Sequence, residues 1–181
     1  MPILAQKDNP PSKPFEGSIL KKEGTWWIAN VKPHQEKAFA FDLLKQGIDY
    51  YLPYYTNIVK RTDGKLRKSL LVLFSSYVPF ISEDPYIFLR SKRVVSVLVI
   101  LAQKRFKYQM NQIFTANQNH ISVLPVKKKI IEGDLARIVN GPFAGITGKL
   151  TRFNNLVSIV MEIDGMNSVS LLINSANIQP V

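Results

Sequence analysis

The 181-residue chain has no cysteine and only two histidines, His34 and His120, which stand far apart in sequence. Without thiols there is no disulfide framework, thiol nucleophile or cysteine metal site, and two isolated imidazoles do not make a zinc site. No cofactor or metal is expected. No apolar run approaches the ~18 residues that suggest a membrane span, and the start lacks the charged-then-apolar form of a secretory leader. The expectation is a soluble, cytoplasmic protein. Acidic residues are also scarce, 13 against 24 Lys and Arg, and they form no paired carboxylates or nucleophile–base set at a spacing that catalysis needs. An enzyme is not expected.

What the chain does have is positive charge, +11 in total, and a hydrophobic share of 46%, enough for one domain or two small ones. Residues 25–116 carry 14 cations to 6 acids, a net +8, whereas residues 132–181 carry 3 to 4, a net −1. The first large segment therefore holds the field that attracts nucleic acid or an acidic protein.

Composition divides the chain into four parts. Residues 1–24 hold Pro2, Pro10, Pro11 and Pro14 among polar residues, which predicts a disordered lead. Residues 25–116 predict an α+β domain, a mainly antiparallel sheet with packed helices. Its order is a strand over Thr25–Val31, a helix over His34–Gln46 with Ala38, Phe41 and Leu44 at three-to-four spacing, and a Tyr-rich strand over Ile48–Pro53. A basic hairpin follows around Asp63-Gly64, then a strand over Leu70–Phe80 with Pro79 at a sheet edge. A short helical stretch runs to Ser91, and Val94–Leu101 is a strand whose unbroken β-branched run predicts burial on both faces. A second helix, Lys104–Thr115, puts Phe106, Met110, Ile113 and Phe114 on one side. Residues 117–131, with Lys127, Lys128 and Lys129, predict a linker. Residues 132–181 predict five short strands and a small all-β, SH3-like barrel.

The C-terminal part holds a specific pattern: Gly133-Asp134, a turn at Gly141-Pro142-Phe143, then Gly145 and Gly148. Its order resembles the KOW motif of transcription factors and RNA-associated proteins. The N-terminal part resembles the NusG N-terminal domain through Trp26-Trp27-Ile28, Lys32-Pro33, Glu36-Lys37, Gly47-Ile48, Tyr51-Leu52-Pro53, the basic hairpin, Leu73 to Val78 and Val94-Val95. Together these span about Thr25 to Val181, and the likeness is greatest to the specialised RfaH-like and UpxY-like antiterminators.

The resemblance implies a monomeric elongation or antitermination factor that rides on RNA polymerase, suppressing pausing or termination at particular operons. By that resemblance Phe74 and Tyr77, with Tyr51, Leu52 and Pro53 beside them, form an apolar polymerase-binding face of the hot-spot kind. Lys32, His34, Gln35 and Lys37 occupy the region that touches the non-template DNA strand in specialised members, and cations at a helix start suit phosphate contacts. The chain departs from the family at Ser75-Ser76, where Pro-Gly is usual. It departs again at Asp164-Gly165-Met166, where the KOW module usually presents an aromatic residue to partners, which puts in doubt the contact with Rho or a ribosomal protein that the resemblance implies. The alternative is an RNA-binding KOW protein of ribosomal or RNA-processing type. Such a protein needs its positive surface on or beside the KOW module, where the net charge here is −1.

Overall fold

The computed structural model describes residues 9–125, 133, 135–139, 144–153, 156–172 and 178–180. The chain divides into two units, one of Met1–Gly17 with Glu23–Leu101 and one of Ser18–Lys22 with Ala102–Val181.

The first unit is built on a three-stranded antiparallel sheet. Strand β1 (Trp26–Val31) lies between β4 (Tyr77–Ile81) and β5 (Val94–Val99), with Ile28 opposite both Pro79 and Leu98. Pro79 has no N–H to give, and an edge strand is where a sheet tolerates that. Helix α1 (Glu36–Lys45) covers one face through Phe39, Ala40 and Leu43, and Gly47 ends it at φ 68. Phe39 meets Phe80 edge-on at 6.3 Å and Phe88 at 5.8 Å, and Phe80 meets Phe88 at 5.2 Å. These three rings anchor a core that also holds Ala29, Val31, Tyr50, Leu52 and Val78. The expected helix therefore forms, but its buried face is Phe39, Ala40 and Leu43, while Ala38 and Phe41 are half-buried and Leu44 is exposed.

Three other expectations for this unit fail. Residues 48–53 are not a strand: only Tyr50 bridges, to Phe80, and the hairpin's own strand β2 begins at Tyr54 (Tyr54–Lys60), paired with β3 (Leu66–Val72). Pro53 lacks the N–H that would have carried a ladder onward. The run Leu70–Phe80 is not one strand either, because the chain bends through Leu73–Ser76, with Ser76 at φ 67, before β4 starts. Strand β5 is an edge strand and leaves Val95 and Val99 more than half exposed, so its β-branched run does not signal two-sided burial. The short helical stretch is a 3-10 helix, Pro85–Arg90, whose start the Asp84 side chain caps by accepting from the Tyr86 N–H at 3.2 Å.

The expected disordered lead is ordered from residue 9. Ser12 O accepts the Leu52 N–H at 2.7 Å, the Tyr54 hydroxyl donates to Pro10 O at 2.9 Å, and Phe15 lies edge-on to Trp26. A polar, Pro-rich segment has no core of its own, but its Ser12 carbonyl satisfies the Leu52 N–H that the missing strand at 48–53 leaves without a ladder partner. Residues 1–8 lie outside the described residues.

The second unit combines helix α2 (Gln103–Gln118) with a six-stranded antiparallel sheet in the order β11-β7-β8-β9-β10-β6. The strands are β6 (Val123–Pro125), β7 (Leu135–Ile138), β8 (Thr147–Phe153), β9 (Leu156–Met161), β10 (Val169–Leu172) and β11 (Ile178–Pro180). The five expected C-terminal strands all form, and the sixth, β6, comes from the expected linker by pairing Val123 with Leu171 and Pro125 with Val169. Asn117 and Gln118 of the expected linker instead end α2, and its residues 126–131, including Lys127, Lys128 and Lys129, lie outside the described residues. Helix α2 buries Phe106, Met110, Ile113 and Ala116, at helical spacing, while Phe114 is only half-buried. A 3-10 turn, Ile19–Lys21, joins this unit through Ser18, whose hydroxyl donates to Asn111 Oδ1 at 2.9 Å. The helix also holds the Asp164 turn: Arg105 makes a bidentate pair with the Asp164 carboxylate at 2.6 and 2.7 Å, and Gln109 donates to Glu162 O at 3.1 Å.

Candidate functional site

The end of β1 meets a loop that cannot continue as strand. Lys32-Pro33-His34-Gln35 reverses the chain into α1 with His34 at φ 64, a left-handed conformation that a β-branched residue would resist. Lys32, Pro33 and His34 are exposed, and Gln35 and Lys37 are half-buried. The helix start is fixed from three sides. The Lys32 N–H donates to Arg93 O at 2.9 Å. The Arg93 guanidinium donates to Gln35 Oε1 and, at 2.9 Å, to Asp42 Oδ2. Lys37 donates to Leu70 O at 3.0 Å and lies 5.5 Å from the centre of the Tyr54 ring.

Of the four residues expected to touch DNA, the structure brings all four to one loop and helix start but commits two of them internally. Gln35 is Arg93's acceptor, and Lys37 is bound to the hairpin backbone; burial lowers the Lys37 pKa, an effect that the neighbouring Glu36 carboxylate opposes. Lys32 and His34 are the two that present their side chains to solvent. Arg93 is the organising residue, and the sequence carried no motif that marked it. It stands 51 residues from Asp42 and 58 from Gln35, and only the β1–β5 pairing brings it there.

The residues expected at an apolar polymerase-binding face have a different fate. Phe74 and Leu52 are fully buried, Tyr51 is 1% exposed, and Pro53 is buried. Tyr77, at the start of edge strand β4, is half-buried and is the one of the five that reaches the surface. An exposed cluster of rings is therefore replaced by one accessible tyrosine over buried support. The reason is the bend at 73–76: it directs Phe74 inward, and Pro53 O accepts the Leu73 N–H at 2.8 Å, closing the chain over it. Next to this, the Tyr50 hydroxyl is buried with no partner among the described residues, and burial pushes its pKa up to about 12. Trp26 is buried, and Trp27 donates its indole N–H to Ser82 O at 3.0 Å, so neither is a free stacking platform.

In the KOW pattern, Asp134, Gly141, Pro142 and Phe143 lie outside the described residues. Gly133 lies so close to β8 that a Cβ there would stand 2.0 Å from Leu150 O. Gly145 has φ 97, and Gly148 is inside β8 opposite Ala136. Gly133 serves close backbone approach and Gly145 a turn that an L side chain would resist. Among the described residues no group of three or more His, Asp or Glu is placed to hold a metal ion. No helix among them is long and apolar enough to cross a membrane.

Comparison with known proteins gives one decisive match. The family model described as "Transcription termination factor nusG" matches residues 24–115, just over half of the chain. That match includes most of α2, which the packing places with the C-terminal strands, so the family boundary and the structural one differ by about a helix. No curated protein matches. Among solved structures, a chain of the crystallised MjSpt4:Spt5 complex in conformation B is similar at 17% identity over 86% of this chain and 96% of that one. Its TM-score of 0.27 is too low to transfer anything.

Proposed function

Because the chain belongs to the NusG family of transcription factors, we propose that it is an elongation factor that binds RNA polymerase through its first unit and opposes pausing or termination at particular operons. The family's members are not enzymes, and the factor works by binding alone. The observation that carries this is the Lys32–Lys37 loop. It presents Lys32 and His34 to solvent on a backbone that Arg93 ties through the Lys32 N–H and the Gln35 side chain, and exposed cations at a helix start suit phosphate contacts. A pre-shaped loop loses little entropy on binding.

Tyr77 makes the accessible polymerase contact, and Phe74, Tyr51, Leu52 and Pro53 hold its strand from beneath. The C-terminal strands are a KOW module of SH3-like form. Its Asp164 turn, tied by Arg105 and Gln109, replaces the aromatic contact to Rho or a ribosomal protein, which suits an antiterminator of the RfaH-like or UpxY-like branch. The factor acts as a cytoplasmic monomer.

Competition with housekeeping NusG for a reconstituted elongation complex tests this. The wild type displaces NusG, Tyr77→Ala weakens displacement by tenfold or more, and Lys32→Gln/His34→Ala weakens it only when the non-template strand is exposed. Failure of the wild type to bind core polymerase sinks the proposal.

A further inference from the structure

Among the described residues strands β2 and β3 pair only with each other, as a two-stranded ribbon separate from the β4-β1-β5 sheet. Seven residues per strand give an arm reaching about 23 Å. Its base is anchored, with Tyr54, Tyr55, Leu70 and Val72 half-buried, but from Ile58 to Lys68 every residue is exposed. A ribbon lying on a domain alternates between covered and open residues. This one does not, so both of its faces are in solvent.

The register decides what those faces carry. Lys68 stands opposite Ile58 and Lys60 opposite Leu66 on one face, while Arg67 stands opposite Val59 on the other. Ile58 is 55% exposed, Val59 49% and Leu66 65%. Each face therefore pairs cations with bare aliphatic side chains. The tip's one carboxylate, Asp63, is used internally: it accepts the Lys65 N–H at 3.1 Å and lies 3.7 Å from Arg61.

An arm that is apolar and cationic on both faces is matched by a slot with two anionic walls and a partly apolar floor. The major groove of B-form DNA is such a slot: it is about 12 Å wide, admits a two-stranded ribbon, runs between two phosphate backbones and displays thymine methyl groups. The deep, narrow major groove of duplex RNA does not admit side chains. The arm also lacks the aromatic platforms on which the unstacked bases of a single strand would lie along it, since residues 58–68 include no aromatic residue.

We propose that the β2–β3 arm inserts into the major groove of duplex DNA, with Lys60, Arg67 and Lys68 on the phosphates and Ile58, Val59 and Leu66 against the base edges. This goes beyond the polymerase and single-strand contacts proposed above and requires neither. Fluorescence anisotropy of the full chain with a labelled duplex of about 20 base pairs, over a salt series, tests it. The wild type binds duplex DNA more tightly than the same single strand or an RNA duplex. Arg67→Gln/Lys68→Gln weakens binding at low salt by about tenfold and lowers the salt slope by about 1.8. Lys60→Gln/Lys65→Gln tests the same arm independently, and circular dichroism confirms that each variant is folded. Ile58→Ser/Leu66→Ser weakens binding with the slope unchanged. Equal losses in a control pair elsewhere, Lys45→Gln/Lys104→Gln, overturn the proposal in favour of plain charge attraction. So does preference for a single strand or for RNA, or the absence of duplex binding.

Discussion

The Glu36 carboxylate accepts the Ser76 backbone N–H at 2.7 Å, while Ser76 O accepts the Val31 N–H at 2.8 Å. One charged side chain, 6% exposed and the only buried charged residue among those described, thereby ties the start of α1 to the bend that leads into Tyr77. The loop carrying Lys32 and His34 and the strand carrying Tyr77 are coupled through it.

Removing that acceptor leaves the half-buried Ser76 N–H without its charged partner, which costs about 1.5–3 kcal/mol. Glu36→Ala is expected to lower stability in urea unfolding by about that much. Glu36→Gln, which keeps an acceptor oxygen, recovers at least half. Equal stability of the two variants would show that the bond does not hold the bend.

Ser76 occupies a left-handed conformation at φ 67 without being glycine or asparagine. The conformation costs an ordinary residue roughly 1 kcal/mol that glycine does not incur. Ser76→Gly is expected to raise the unfolding midpoint without changing the denaturant slope, a gain of up to about 1 kcal/mol after the glycine's extra chain entropy is counted. A loss of stability would mean that the serine side chain contributes more than the backbone strain.

Gly133 approaches β8 so closely that its substitution is a backbone collision, not a side-chain one. Gly133→Ala requires β7 and β8 to separate locally and is expected to cost about 2 kcal/mol or more, in line with other strained backbone substitutions. Hydrogen exchange should report it as lost protection at Leu150 and its neighbours, with β1 and α1 unaffected.

Alkaline pH acts on the Tyr50 and Tyr54 hydroxyls, both held above the usual tyrosine range chiefly by burial, Tyr50 at about 12. The unfolded chain ionises them near pH 10, so above that the unfolded state holds fewer protons and is favoured. The two tyrosines' contribution is constant below about pH 10 and falls as pH rises through 12, by about 2–3 kcal/mol for Tyr50 alone. Lys37, whose pKa is lowered by burial, works in the opposite sense, since stability rises as it loses its proton. Tyr50→Phe should flatten the fall in a pH series of thermal melts.

Much of the architecture was legible in the chain because local chemistry dictated it. Trp26–Val31 is apolar and β-branched enough to be a strand anywhere, Gly47 stops α1 because glycine accepts φ 68, and Asp63-Gly64 turns the hairpin. Turn residues at Asp164-Gly165 likewise separated β9 from β10 before any packing was known.

Packing decided what periodicity left open. Apolar residues occur on more than one side of α1, and only contact with Phe80 and Phe88 selected Phe39 over Phe41. The Leu70–Phe80 run has the composition of one strand, but a buried carboxylate 40 residues away holds it bent and turns Phe74 inward. Arg93 acquired its place beside Gln35 and Asp42 through strand pairing, which no local pattern encodes. Neighbouring residues set most of the helices, strands and turns and where the charge lies, but not the lost strand at 48–53, the break at 73–76 or strand β6, which pairing with distant segments decided. Which side chains face solvent was settled by the fold, because burial depends on partners distant in the chain.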